Sequence, residues 1–132
     1  MVNRPAAAST SIAVAAVADL VLVLVFVLIG RGSHDEGFSI EGSLVTAWPF
    51  VVGLAAGWLL AWAWRAPWAV RWAGVVIWAS TVVIGVLLRG ISGQGLAVSF
   101  VIVTTLVLAA FLLGWRAIAG LILRRSSRGA SA

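Results

Sequence analysis

The chain of 132 residues has no cysteine, no lysine, one histidine and only four acidic side chains. Without cysteine there is no disulfide, no thiolate nucleophile and no Cys-ligated metal. Without lysine, all nine basic groups are arginine. With the load of Ala, Val, Gly and Trp, this is the pattern that codon bias in a GC-rich genome produces, and it carries no functional message. Charged residues make up 10% of the chain, against roughly 25% in a soluble domain. Enzyme signatures are missing as well. There is no G-x-S-x-G, no Walker loop, no G-x-G-x-x-G after a strand and no H-E-x-x-H. No catalytic residue and no cofactor site is assigned.

Hydrophobic residues fill 63% of the sequence. A soluble fold of this length cannot bury so much apolar surface, so lipid must be the solvent for much of it. Four apolar segments stand out, at about 11–30, 47–64, 72–88 and 96–123. Each has the roughly 17–25 residues that a helix needs to cross a bilayer. No ten-residue alternation of the kind a β-barrel requires is present. The expected fold is all-α, a polytopic bundle of four transmembrane helices over residues 11–123. A mobile cytoplasmic N-terminus (1–10) precedes it and a basic tail (124–132) follows. The first segment reads as a retained helix and not a cleaved signal, because its small residues Ala13, Ala15, Ala16 and Ala18 precede the strongest apolar run. Thr46 is a candidate cap for the second helix, with Pro49 in its first turn.

Arginine sets the orientation. Arg4, Arg65, Arg71, Arg116, Arg124, Arg125 and Arg128 fall on one side, and Arg31 and Arg89 on the other with Asp35, Glu36 and Glu41. The positive-inside rule puts both termini in the cytoplasm, N-in and C-in, for a multi-pass protein of the cytoplasmic (inner) membrane. Trp62, Trp64, Trp68, Trp72 and Trp115 gather at the inner interface as an aromatic belt. Scattered arginines beside apolar runs point to anionic lipid and not to nucleic acid.

Three constellations carry what chemistry there is. Gly53, Gly57 and Ala61 recur every four residues, a face along which another helix can approach closely. That face packs either inside the monomer or against a second copy. Gly85 adds a small residue to the third helix. Asp19, Thr81, Thr105 and Arg116 form the candidate intramembrane polar site, with Thr105, Ala109, Leu112 and Arg116 on one stripe. A carboxylate on the lipid face would cost at least about 2.5–3.5 kcal/mol, so Asp19 is expected to point inward. Arg116 can reach it, with Arg71 as second choice. The pair is either structural or a proton or ion site. The outer cluster Arg31, His34, Asp35, Glu36 and Arg89 is read as a solvated charged loop. With one histidine it is not a metal site.

The order D-L-x-L-V-L-x-F (Asp19–Phe26), G-R-x-S-H (Gly30–His34), T-A-W-P-F-x-x-G (Thr46–Gly53), T-V-V-x-G-x-x-L-R (Thr81–Arg89), S-F-x-x-V (Ser99–Val103) and G-W-R (Gly114–Arg116) resembles the domain of unknown function 3054 family. That is a group of small four-helix prokaryotic membrane proteins. The resemblance covers roughly 16–118. It implies the four-helix topology and marks Asp19, Arg31, His34, Pro49, Thr81, Arg89 and Arg116 as motif positions. It implies no substrate or reaction. The reading favoured is a non-enzymatic membrane protein acting by assembly, as a homo-oligomer or a small subunit of a membrane complex. The alternative is a small transporter or channel using Asp19 with an arginine.

Overall fold

Apolar segments of this length satisfy their backbone groups without water only by closing them on themselves, and each one winds into a helix. The computed structural model describes residues 6–33 and 39–130. Helix α1 spans Ala6–Ser33 and α2 spans Ile40–Ala61. A 3-10 turn, Ala63–Arg65, follows α2. Helix α3 runs over Val70–Ile91, with its first turn, Val70–Gly74, wound as a π-turn. Helix α4 runs over 98–130 in three stretches, Val98–Leu108, a π-turn Ala109–Leu113, and Gly114–Ala130. All four helices are long and apolar enough to cross a membrane.

The helices outrun the apolar runs that announce them. Residues 6–10 and 124–130, expected as tails, continue α1 and α4. Helix α2 starts seven residues before the expected 47, because Ser39 and not Thr46 caps it. The Ser39 hydroxyl accepts from the Gly42 N–H at 3.0 Å. Thr46 instead donates back to the Gly42 carbonyl at 3.0 Å. Pro49 therefore lies inside α2, where it cannot donate to the carbonyl four residues earlier. That carbonyl belongs to Val45, and the Gln94 side chain supplies the missing donor at 3.1 Å.

Helices α2 and α3 form the closest pair. A Cβ on Gly53 would come within 2.9 Å of the Ser80 carbonyl and the Thr81 Cα, and one on Gly57 within 2.8 Å of the Ile77 Cα. Backbone meets backbone there, so only glycine fits. Ala61, one turn further, is buried, and its carbonyl accepts from the Trp72 indole at 2.8 Å. Gly85 lies under the Phe50 ring, which a Cβ would strike. Of the two uses open to the small-residue stripe, packing inside the chain is the one the structure shows.

Helix α1 turns Ala15, Asp19, Val23 and Phe26 inward and leaves Leu20, Val21, Leu24 and Leu28 outside. On α4 the buried residues are Thr104, Leu108, Leu112 and Arg116. Twelve residues at 3.6 per turn overshoot three turns by a third. The π-turn absorbs about one residue, and the four side chains come into line. The spacing that puts Thr105 and Ala109 on this stripe assumes unbroken α pitch. Thr104 and Leu108 hold those places, and Thr105 is only half-buried.

Candidate functional site

Asp19 is the focus of the end of the bundle that carries the loop before α3. It and Arg116 are both fully buried, at 0% exposure. Their contact is bidentate. Arg116 Nη1 donates to Asp19 Oδ1 at 2.8 Å, and Nη2 donates to Oδ2 at 2.7 Å. Two indoles complete the carboxylate. Trp115 Nε1 donates to Oδ1 at 2.8 Å and Trp58 Nε1 to Oδ2 at 2.9 Å. A carboxylate offers about four lone-pair sites, and here four N–H groups from α2 and α4 take them.

The guanidinium is held as closely. Its Nε donates to the Pro67 carbonyl at 2.8 Å, and Nη1 also donates to the Leu112 carbonyl at 2.9 Å. The Leu112 carbonyl lies in the π-turn, where the helical ladder is interrupted. Fork geometry and partners for most of the N–H groups, four of the five on this guanidinium, are the conditions under which a buried ion pair offsets its desolvation cost. Asp19 and Arg116 thereby join α1, α2, α4 and the loop before α3 at one point.

Other tryptophans are internal donors too. Trp68 Nε1 donates to the Ser11 carbonyl at 3.2 Å, and its ring meets that of Trp115 edge-on at 5.2 Å. Trp78 Nε1 donates to the Thr105 carbonyl at 3.0 Å. Trp62 and Trp72 are exposed, as belt residues would be, whereas Trp115 and Trp68 turn inward. Trp58 escapes a reading of the sequence altogether. Its signal is position, since it lies at the depth of Asp19.

The two threonines of the polar site stay apart from the pair. Thr81 is buried and donates to the Ile77 carbonyl at 2.7 Å. Thr105 donates to Val101 at 2.8 Å. Both hydroxyls are satisfied by their own helix.

At the opposite end of the bundle a cavity of about 410 Å³ opens between α1, α2, the loop 92–97 and the start of α4. Arg31 and Arg89 line it. Arg31 Nη1 donates to the Gly42 carbonyl at 3.1 Å and to Thr46 Oγ1 at 2.9 Å. Arg89 Nε donates to the Gly95 carbonyl at 3.1 Å, and its guanidinium lies 4.2 Å above the centre of the Phe100 ring. His34, Asp35 and Glu36 lie outside the described residues. Among those described, no three His, Asp or Glu side chains converge on a metal-sized space.

Four apolar helices pinned by a buried carboxylate–guanidinium pair define a small all-α protein of the membrane-spanning type. The chain belongs to the family described as protein of unknown function (DUF3054), whose model matches residues 16–119. Asp19, Trp58, Trp115 and Arg116 all lie within the matched span. No curated protein and no solved structure matches the chain.

Proposed function

We propose that this is a non-enzymatic multi-pass protein of the cytoplasmic membrane, with both termini inside, that acts by assembly, and that the inner end of α4 is where it assembles. The carrying observation is the reach of that helix. Arg116 bonds the Pro67 carbonyl and so sits level with the inner loop. Helix α4 continues for residues 117–130, about 20 Å at 1.5 Å per residue. On this overhang Ile118, Leu121 and Ile122 are more than half exposed, at 62%, 53% and 60%. Their spacing of three and four places them on one stripe. We read this stripe as the face that a helix of a second copy covers. Arg124 and Arg125 follow at the height expected for anionic lipid headgroups.

The transporter alternative has less to support it. A relay through Asp19 needs a free site on the carboxylate, and four N–H donors occupy it. Partners are therefore the bilayer and a further protein chain, with no nucleic acid. The test is size in mild detergent. Wild type should run as an oligomer, and Ile118→Ser combined with Ile122→Ser should run as a folded monomer. A wild type that is monomeric across its concentration range overturns the assembly reading.

A further inference from the structure

Among the described residues, Trp62 is the one non-glycine with a positive φ. It closes α2 in the left-handed conformation, φ 50° and ψ 48°, with its N–H on the Leu59 and Trp58 carbonyls. Glycine suits such a place, because a Cβ there crowds the carbonyl oxygen that follows. The bulk of this side chain does not fill the core in return. Trp62 is 53% exposed, and its indole N–H has no hydrogen-bond partner among the described residues. Strain of this kind gathers at binding sites.

What the ring meets is Arg65. Side chains three apart are eclipsed in a 3-10 turn, and the turn Ala63–Arg65 sets the guanidinium carbon 4.2 Å from the centre of the Trp62 ring. Stacking takes one face of the guanidinium and leaves its in-plane N–H groups. Arg65 is exposed, and these N–H groups have no hydrogen bond or ion pair among the described residues. No described carboxylate is left for them. Asp19 is filled by Arg116 and two indoles. Glu41 is in the first turn of α2, with roughly 30 Å of helix between it and Trp62. The surface beside the stacked pair is apolar. Leu59 and Leu60 are exposed on the last turn of α2, and Trp72, also exposed, is tied through its indole to the Ala61 carbonyl at 2.8 Å.

We propose that Trp62 and Arg65 bind the phosphate of an anionic glycerophospholipid in the leaflet at this end of the bundle. The phosphate oxygens accept from the in-plane N–H groups of Arg65, which the indole holds in one orientation. The acyl chains run along Leu59, Leu60 and Trp72. A guanidinium without a carboxylate calls for an anion from outside the chain, and the apolar surroundings select one that carries hydrocarbon. A free phosphate meets only the guanidinium. Glycine at position 62 would end the helix with less strain and offer no ring to stack on.

The test is native mass spectrometry of the full chain in mild detergent, titrated with phosphatidylglycerol, alongside thermal unfolding of the same samples. Arg125→Gln removes a basic group that acts only through the general field, so it should lower lipid affinity about fivefold at most. Arg65→Gln should lower it by more than that. Arg65→Lys keeps the charge and loses the planar stack, so it should fall with Arg65→Gln and not stay with wild type. Trp62→Gly and Trp62→Ala should lose lipid alike. Without lipid, Trp62→Gly should melt higher than Trp62→Ala, because only glycine takes this φ without strain. Inorganic phosphate and sn-glycerol 3-phosphate should neither form an adduct nor displace the lipid. Wild-type affinity in Arg65→Lys or Trp62→Gly overturns the proposal. So does a loss in Arg65→Gln no larger than in Arg125→Gln, the signature of unspecific attraction, or a phosphate adduct as strong as that of the lipid.

Discussion

Asp19 and Arg116 show how a single charge organises its surroundings in a medium without water. Remove the carboxylate's charge and a guanidinium remains buried with no counter-charge. Breaking a buried pair in this way costs about 3–5 kcal/mol. Asp19→Asn should therefore lower the unfolding temperature in detergent sharply, or prevent accumulation. The double change Asp19→Leu with Arg116→Met should recover part of the loss, because no lone charge stays buried, but not all, because the Trp58 and Trp115 indoles then lack an acceptor. If Asp19→Asn unfolds like wild type, the pair is not the pin described here. Trp58→Phe and Trp115→Phe each remove one of the four donors on the carboxylate, a loss of about 1–3 kcal/mol each. That Asp19 points inward toward Arg116 is legible in the sequence, since an acid amid aliphatic residues needs a basic partner at its own depth. The indoles are not legible in this way. A tryptophan near a helix end satisfies the belt pattern equally well whether its N–H meets water or Asp19.

Helices in this chain are interrupted at Pro49 and at the two π-turns, and the first and last of these interruptions have a side-chain remedy. Gln94 bonds the Val45 carbonyl that Pro49 leaves bare, and Arg116 bonds Leu112 within the second π-turn. Gln94→Ala should cost about 1 kcal/mol in the wild-type background. It should cost less beside Pro49→Ala, which restores the backbone donor, and a double-mutant cycle of thermal unfolding measures the difference. Helix existence and count are readable because a long apolar run has no other use. Boundaries and faces are less so. Ser39 and Thr46 are both acceptable caps, and tertiary contacts decide between them. A stripe counted at α pitch selects Thr105 where the π-turn selects Thr104. The Gly53 and Gly57 positions make a sharper element-scale prediction. Gly57→Leu should abolish accumulation and not yield a smaller, folded species, since its side chain would enter the Ile77 backbone. A folded, smaller species would return the stripe to an intermolecular role.

At the scale of the whole molecule, both ends of the bundle are marked by chemistry, with the ion pair and tryptophans at one and the cavity with its arginines at the other. On the topology proposed from the arginine count, reporter fusions after Arg125 should read as cytoplasmic while a tag within 35–41 should be reachable from outside. An external C-terminus would invert every statement about inner and outer. The pin also has a consequence for how the protein is made. Asp19 and Arg116 are 97 residues apart in the chain. At about 5–20 residues per second, synthesis of the second follows the first by roughly 5–20 s. Through that interval the first helix carries its carboxylate into the insertion machinery with no guanidinium and no Trp115 to receive it. Nascent chains stalled just short of Trp115 should crosslink to the insertion site through α1. Chains extended well past Arg116 should release it into lipid. Equal crosslinking at both lengths would mean that α1 leaves the machinery without waiting for its partner.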